Sequence, residues 1–182
     1  MLRKGKSYAY HLFHVDDILC VSNDMILREA CLTALTRHVK IRDEGNVSLF
    51  LGMSIERKND GSYMMNQQHF IERVAVRFNI DESSKPANAP AAYGKMLVRA
   101  SDDDVAAASK LPYQALLGSL IYCAKTRPDI AFAISDAARF MGRWSAEHFK
   151  AALLILRYLY TTRERCIHIK PDRHRTDYHT RV

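Results

Sequence analysis

The 182-residue sequence predicts an α+β chain, with strand hairpins and packed helices in the first part and helices alone in the second. Three observations carry this prediction. Residues 8–15 and 18–21 are runs of aromatic and β-branched side chains that suit half-buried strands. Only Asp16 and Asp17 lie between them, the spacing of a tight hairpin. Residues 47–57 are again strand-like and return through 62–66 after the turn dipeptide Asp60-Gly61. Beyond residue 110, apolar residues recur at three- and four-residue steps in three successive stretches.

The elements follow in order. The N-terminal Met1-Leu2-Arg3-Lys4 leads into the first strand pattern, not into the apolar region of a signal peptide. After the first hairpin, Ser22, Asn23 and Asp24 offer helix-capping side chains. Leu27, Cys31, Ala34, Leu35 and His38 then share one face of a helix over about 24–39. Asp43-Glu44-Gly45-Asn46 reads as a turn. Past the second hairpin, Phe70, Ile71, Val74, Ala75 and Phe78 mark another helix. Residues 81–110 hold Pro86, Pro90, a small-residue run and Asp102-Asp103-Asp104, so they read as a linker in which the acidic run is solvated. Three helical stripes close the pattern: Tyr113, Leu116, Leu117, Leu120, Ile121 and Ala124; then Ile130, Ile134, Ala137 and Met141; then Phe149, Ala152, Leu153, Leu156 and Leu159. Pro128 suits the first turn of the second helix, Asp129 favours its positive end, and Ser145 can cap the third. The predicted segments are thus 1–80, a linker over 81–110, a three-helix region over 111–169, and a tail over 170–182 unlike the rest.

Composition narrows the class. Apolar residues make up 48%, enough for a real core and too many for wholesale disorder. No apolar run approaches the ~20 residues that cross a bilayer, so no membrane partner is expected. Cys20, Cys31, Cys123 and Cys166 are too scattered for a disulfide framework or a zinc site, and they suit a reduced setting. The chain is therefore expected to be intracellular, cytoplasmic or nuclear, and not secreted. A net charge of +7 suits a polyanionic partner but is shared by basic domains that bind no nucleic acid.

Two constellations carry possible chemistry. Asp16 and Asp17 place two carboxylates at a rigid tip, the geometry needed to grip a divalent metal for phosphoryl transfer. The plainer reading is that acidic residues suit turns because they accept backbone hydrogen bonds. His69, Arg73 and Arg77 fall at i, i+4 and i+8 on one helix face. That face could follow a nucleic-acid backbone or be an ordinary solvated surface. His14 either titrates beside the acidic pair or simply occupies an aromatic position. His148 reads as a packed or capping histidine, Arg127-Pro128-Asp129 as a helix start with a charged flank, and Cys20 and Cys31 as small core residues.

Five blocks in order carry a family resemblance. They are His14-Val15-Asp16-Asp17-Ile18-Leu19; Asp43-Glu44-Gly45 with Phe50-Leu51-Gly52-Met53-Ser54-Ile55; Pro112-Tyr113 with Leu117-Gly118-Ser119-Leu120-Ile121-Tyr122; Thr126-Arg127-Pro128-Asp129-Ile130-Ala131; and Arg157-Tyr158-Leu159 following His148. Over residues 8–169 the chain resembles the later part of the reverse transcriptase of copia-type LTR retrotransposons. The resemblance implies that 1–80 is the C-terminal part of a polymerase palm, with a primer-grip-like hairpin and a first thumb-like helix, and that 111–169 is thumb-like. It implies Asp16 and Asp17 as catalytic ligands of two Mg²⁺ ions (Mn²⁺ is an alternative), with Asp16 the better supported. It sets Phe50, Leu51 and Gly52 against a primer strand. The implied partners of the intact enzyme are an RNA or DNA primer–template, a dNTP, and the remaining polyprotein with its integrase and ribonuclease H.

The sequence departs from the family where His14 replaces a tyrosine, where Ala146 and Phe149 replace a proline and a tryptophan beside His148, and where a glycine is lacking near Thr161. No segment matches the family's fingers region or the further catalytic aspartate that such a metal site draws from a neighbouring strand. The expectation is therefore a polymerase fragment that is inactive as an isolated chain. The alternatives are a non-catalytic nucleic-acid-binding remnant and the product of a decayed element without function.

Overall fold

The computed structural model describes residues 2–92, 94 and 96–170; apart from Lys170, the tail singled out in the sequence lies outside the described residues. The chain is α+β, with two small antiparallel sheets and six α-helices among the described residues. It divides into two compact units, Met1–Glu56 and Arg57–Val182. No helix among the described residues is long and apolar enough to cross a membrane.

The first unit is built on an antiparallel sheet of β1 (Leu2–Lys4), β2 (Ser7–His14) and β3 (Asp17–Ser22), in that order. The β2–β3 ladder runs from Ala9↔Ser22 to His14↔Asp17. Strand alternation therefore puts Ala9, His11, Phe13, Ile18 and Cys20 on one face and Tyr8, Tyr10, Leu12, Leu19 and Val21 on the other. Helix α1 (Met25–Thr36) packs against β2 and β3, with Ala9 and Cys31 buried. Asp24 caps it by accepting from the Ile26 and Leu27 amides at 2.9 and 3.1 Å. Regular helix ends at Thr36, short of the predicted 39, although the His38 and Val39 amides still donate to the Leu35 carbonyl. Arg28 on α1 pairs with Asp43 at 2.7 Å, and Asp43 also accepts from the Gly45 amide, which ties the 43–45 turn to the helix.

The stretch read as a single strand over 47–57 is a hairpin of β4 (Leu49–Phe50) and β5 (Met53–Arg57). Its corner is Leu51-Gly52, with φ of 50° and 73°. Two successive left-handed residues are what a two-residue type I′ turn needs, and glycine supplies one of them at no steric cost.

In the second unit, β6 (Tyr63–Asn66) pairs with β7 (Ile167–Ile169), a strand the sequence pattern did not announce. Helix α2 (Gln68–Arg77) was grouped with the preceding hairpins on sequence. In the structure it packs on the later helices through Ile71, Val74 and Ala75. It ends in a Schellman motif: Asn79 is left-handed at φ 57°, the Asn79 amide donates to Val76, and the Ile80 amide reaches back to Ala75 at 2.9 Å. The acidic run read as solvated loop is instead the first turn of α3 (Asp102–Ala108). Ser101 caps that helix through the Asp104 amide, and the three carboxylates sit at its positive end. The three predicted helices follow as α4 (Tyr113–Cys123), α5 (Ala131–Ala138), entered through a 3₁₀ turn at Pro128–Ile130, and α6 (Ala146–Thr161). Their stripes form one core around Leu116, Leu117, Leu120, Ile134, Leu156 and Leu159.

Candidate active site

The acidic pair lies at a hairpin tip, shifted by one residue from the sequence reading. Because His14 pairs with Asp17 in the ladder, the two loop residues are Val15 and Asp16, and Asp17 begins β3. Both carboxylates are exposed. Asp17 is the cross-strand neighbour of His14, and Asp16 stands on the turn itself. Val15 takes φ 49° with 91% of its surface exposed. A β-branched residue in the left-handed region is strained, by roughly 1–3 kcal/mol, and little packing holds it there. The strain comes from the tightness of a two-residue loop that must turn without glycine.

Adjacent carboxylates, one on the bend and one at the start of β3, are hard oxygen donors of the kind Mg²⁺ takes, usually one or two carboxylates completed by water and substrate phosphates. Among the described residues no group of three or more His, Cys, Asp or Glu side chains is gathered in a way that could hold a metal ion by itself. Asp16 and Asp17 therefore supply two exposed carboxylates and do not by themselves make a metal site.

The other predicted residues are distributed as follows. Phe50 is buried, Leu51 is half-buried and Gly52 is exposed at the β4–β5 corner, so only the corner itself presents surface. In the second unit, His69, Arg73 and Arg77 are all exposed on α2. His69 lies 3.6 Å from Glu72, Arg73 sits over the Phe70 ring, and Arg77 sits over Phe78, each guanidinium 5.8 Å from its ring centre. The four cysteines are free thiols, and burial pushes the Cys123 thiol up to about 12.

Sequence reading missed a buried polar lock. Arg127, taken as a charged flank, is 2% exposed. Its Nε and Nη2 donate to the two oxygens of Asp129 at 2.9 and 2.7 Å, and Nη1 donates to the Thr162 carbonyl at 2.9 Å. Tyr158 donates to the same carboxylate at 2.7 Å and accepts from Arg165 at 2.8 Å. The Arg127 guanidinium, followed by the Tyr158 hydroxyl, holds the Asp129 carboxyl below the ordinary carboxylate value. An Arg and an Asp flanking a conformationally fixed proline was the available signal. His148 matches its reading: the ring Nδ1 accepts from the Ser145 amide at 3.0 Å and meets its hydroxyl at 2.8 Å, which caps α6.

Comparisons with known proteins agree on one lineage. Over 93% of its length the chain is 31% identical to the retrovirus-related Pol polyprotein from transposon RE2 of Arabidopsis thaliana, covering 11% of that protein. It is 34% identical over 86% of its length to the retrovirus-related Pol polyprotein from transposon TNT 1-94 of Nicotiana tabacum, covering 12% of it. It is 31% identical over 87% of its length to the transposon Ty5-1 protein of Saccharomyces cerevisiae, covering 51% of it. The chain thus spans about a tenth of the two plant polyproteins and about half of the yeast protein. No family model matches the chain, and no solved structure matches it.

Proposed function

We propose, from the premise that this chain is a copia-type retrotransposon Pol segment, that it is the palm end and thumb-like helices of a reverse transcriptase, with Asp16 and Asp17 as catalytic metal ligands. The observation that carries the reading is that Asp16 stands on the two-residue bend and Asp17 opens the strand that follows it, both exposed. Paired strands fix the backbone on both sides of these two adjacent anionic residues, and position is most of what such catalysis asks of the protein. Bound Mg²⁺ would stabilise the attacking and leaving oxygens of nucleotidyl transfer. The chain's own contribution is to supply and orient carboxylate oxygens at 16 and 17, and to offer Arg73 and Arg77 to a nucleic-acid backbone.

Two measurements test this. Paramagnetic Mn²⁺ should broaden the amide resonances of residues 14–18 first, and Asp16→Asn with Asp17→Asn should abolish that local effect. Broadening elsewhere, or broadening indifferent to the substitutions, would remove the hairpin from the chemistry. Because two carboxylates make only part of a site, the purified chain with Mg²⁺, dNTPs and a primed RNA template should show no extension. Robust extension would overturn the partial-site reading.

The exposed Arg73 and Arg77 favour a second reading, in which the chain binds nucleic acid without chemistry. Affinity for an RNA–DNA hybrid should then fall steeply with salt, as counterion release requires, and a flat salt response would remove this reading.

A further inference from the structure

Strands β6 and β7 pair with Met64 opposite His168, and residues directly opposite each other share one face of a ladder. Cys166, two residues before His168, stands just ahead of β7. Its thiol lies 3.8 Å from the Met64 sulfur, which sets it on that same face. Met64 and Cys166 are half-buried and His168 is exposed, so the face is open to solvent. A thioether, a thiol and an imidazole are thereby gathered on one ladder of the second unit.

Hydrogen bonds decide which imidazole nitrogen of His168 keeps a lone pair. The hydroxyl of Ser62, a fully buried residue, meets Asp60 Oδ1 at 2.6 Å and His168 Nε2 at 2.9 Å. The Ser62 hydroxyl, followed by the Ser62 amide, holds the Asp60 carboxyl below its ordinary value. An ionised carboxylate can only accept, so Ser62 spends its proton on Asp60 and offers His168 a lone pair. Nε2 therefore carries the proton of the neutral ring, and Nδ1 is left as its lone-pair nitrogen. A carboxylate-backed hydrogen bond on one ring nitrogen is how ligating histidines are ordinarily set. The sulfur spacing fits a shared ion as well. With metal–sulfur bonds of about 2.3 Å, a 3.8 Å separation gives an S–metal–S angle of about 111°, close to tetrahedral.

We propose that Met64, Cys166 and His168 form a site for a soft monovalent cation, copper(I), with Sδ, Sγ and Nδ1 as its ligands and with Ser62 and Asp60 positioning the imidazole. Thiolate and thioether donors select copper(I) over hard cations such as Mg²⁺. As the metal–sulfur bond forms at Cys166, the S–H bond breaks and its proton passes to solvent. The copper stays in the +1 state, so no oxidant or reductant takes part. The thioether is the distinguishing ligand, because no trio of His, Cys, Asp or Glu among the described residues could hold an ion. This inference does not rest on the hairpin reading, whose residues lie in the first unit.

The test titrates the reduced full chain, without oxygen, with copper(I) buffered by a competing chelator. It follows the Met64 methyl resonance by NMR and the thiolate-to-copper charge-transfer absorption in the ultraviolet. The first equivalent should shift the methyl signal and raise the absorption together. Cys166→Ser should abolish both at that equivalent. Met64→Leu keeps the side-chain volume, and it should weaken binding by about tenfold or more, since even the outer partners of a metal site act on that scale. His168→Gln should weaken it at least as much, and Ser62→Ala by about tenfold through the freed imidazole. An unmoved Met64 methyl signal in the unsubstituted chain overturns the proposal. So does first-equivalent binding that survives Cys166→Ser, or parent-like binding by both Met64→Leu and His168→Gln. Asp16→Asn should leave this titration unchanged, so failure here and failure at the hairpin are separable.

Discussion

At the scale of single residues, Arg127 fastens the turn before α5 to the end of α6. Its guanidinium is buried, forks onto Asp129 and also holds the Thr162 carbonyl beyond the end of α6. Removing it leaves a part-buried carboxylate without its main partner, so Arg127→Ala should destabilise the second unit by about 3 kcal/mol in urea unfolding. Arg127→Lys should recover less than half of that, because an ammonium cannot span both carboxylate oxygens. The sign for Asp129 follows from its lowered pKa. Its stabilisation is present above the ordinary value of 3.8 and is lost as the pH falls through the lower folded value. His148 titrates in a different window. Burial lowers its pKa from 6.5, against the opposing pull of the Val98 backbone, Asp136 and Glu147. The folded state therefore resists a proton that the unfolded chain accepts, and stability falls as the pH drops below about 6.5, by at most ~1.4 kcal/mol per pH unit for one proton. Glutamine can accept the same Ser145 amide, so His148→Gln should keep the cap and flatten melting temperature between pH 6.5 and 5. An unchanged slope would mean that other groups set the acid limb.

At the scale of elements, the hairpin tip is where local preference and observed backbone disagree. Val15 adopts φ 49°, which valine disfavours, and its side chain is almost wholly exposed. Val15→Gly should relieve the strain and lose little packing, for a net gain of about 0.5–1 kcal/mol after the extra entropy of glycine in the unfolded chain. A measured loss would show that the valine contacts something this conformation does not reveal. The same tip shows what was legible in sequence. The two apolar runs announced the hairpin, but not whether the bend falls on 15–16 or 16–17, because a one-residue shift leaves the composition unchanged and is settled by pairing His14 with Asp17. The stripes of α4, α5 and α6 were legible because each buries one face in a single core. Helix α3 was not, since Asp-rich segments look like loops until the Ser101 cap and the helix dipole are counted. Strand β7 is three residues long, and its partner β6 lies a hundred residues earlier, so no local pattern could have announced it. Among candidate residues, the acidic pair and the α2 basic face were visible as spacing. The Arg127 lock was not, because it depends on the end of α6 meeting a distant segment.

At the scale of the whole molecule, the two units differ in how much they bury. Among the described residues of the first unit only Ala9, Cys31 and Phe50 are buried apolar side chains, while the core of the second draws on five of its elements. Tyr8, Tyr10, Leu12 and Val21 lie on one face of the β2–β3 ladder and are each more than a third exposed. Such a sheet has little to hold it, because the apolar burial that offsets backbone entropy is small there. Local opening should therefore be far cheaper in the first unit than in the second. Hydrogen exchange would show this directly: amides of α4 and α6 should be the slowest in the chain, and those of β2 and β3 should exchange faster by a factor of ten or more, since a tenfold change corresponds to only ~1.4 kcal/mol of opening free energy. Urea unfolding followed by near-ultraviolet and far-ultraviolet signals should give non-coincident transitions for the same reason. The exposed face should also make the chain associate as concentration rises, in keeping with an apolar patch on a sheet that has open edges. Replacing Leu12 and Val21 together with threonine keeps strand preference and removes apolar surface, so it should shift the size-exclusion profile toward monomer without changing the exchange rates of α4 and α6. If β2 and β3 instead protect as strongly as the helices, the first unit must be stabilised by something other than its own burial.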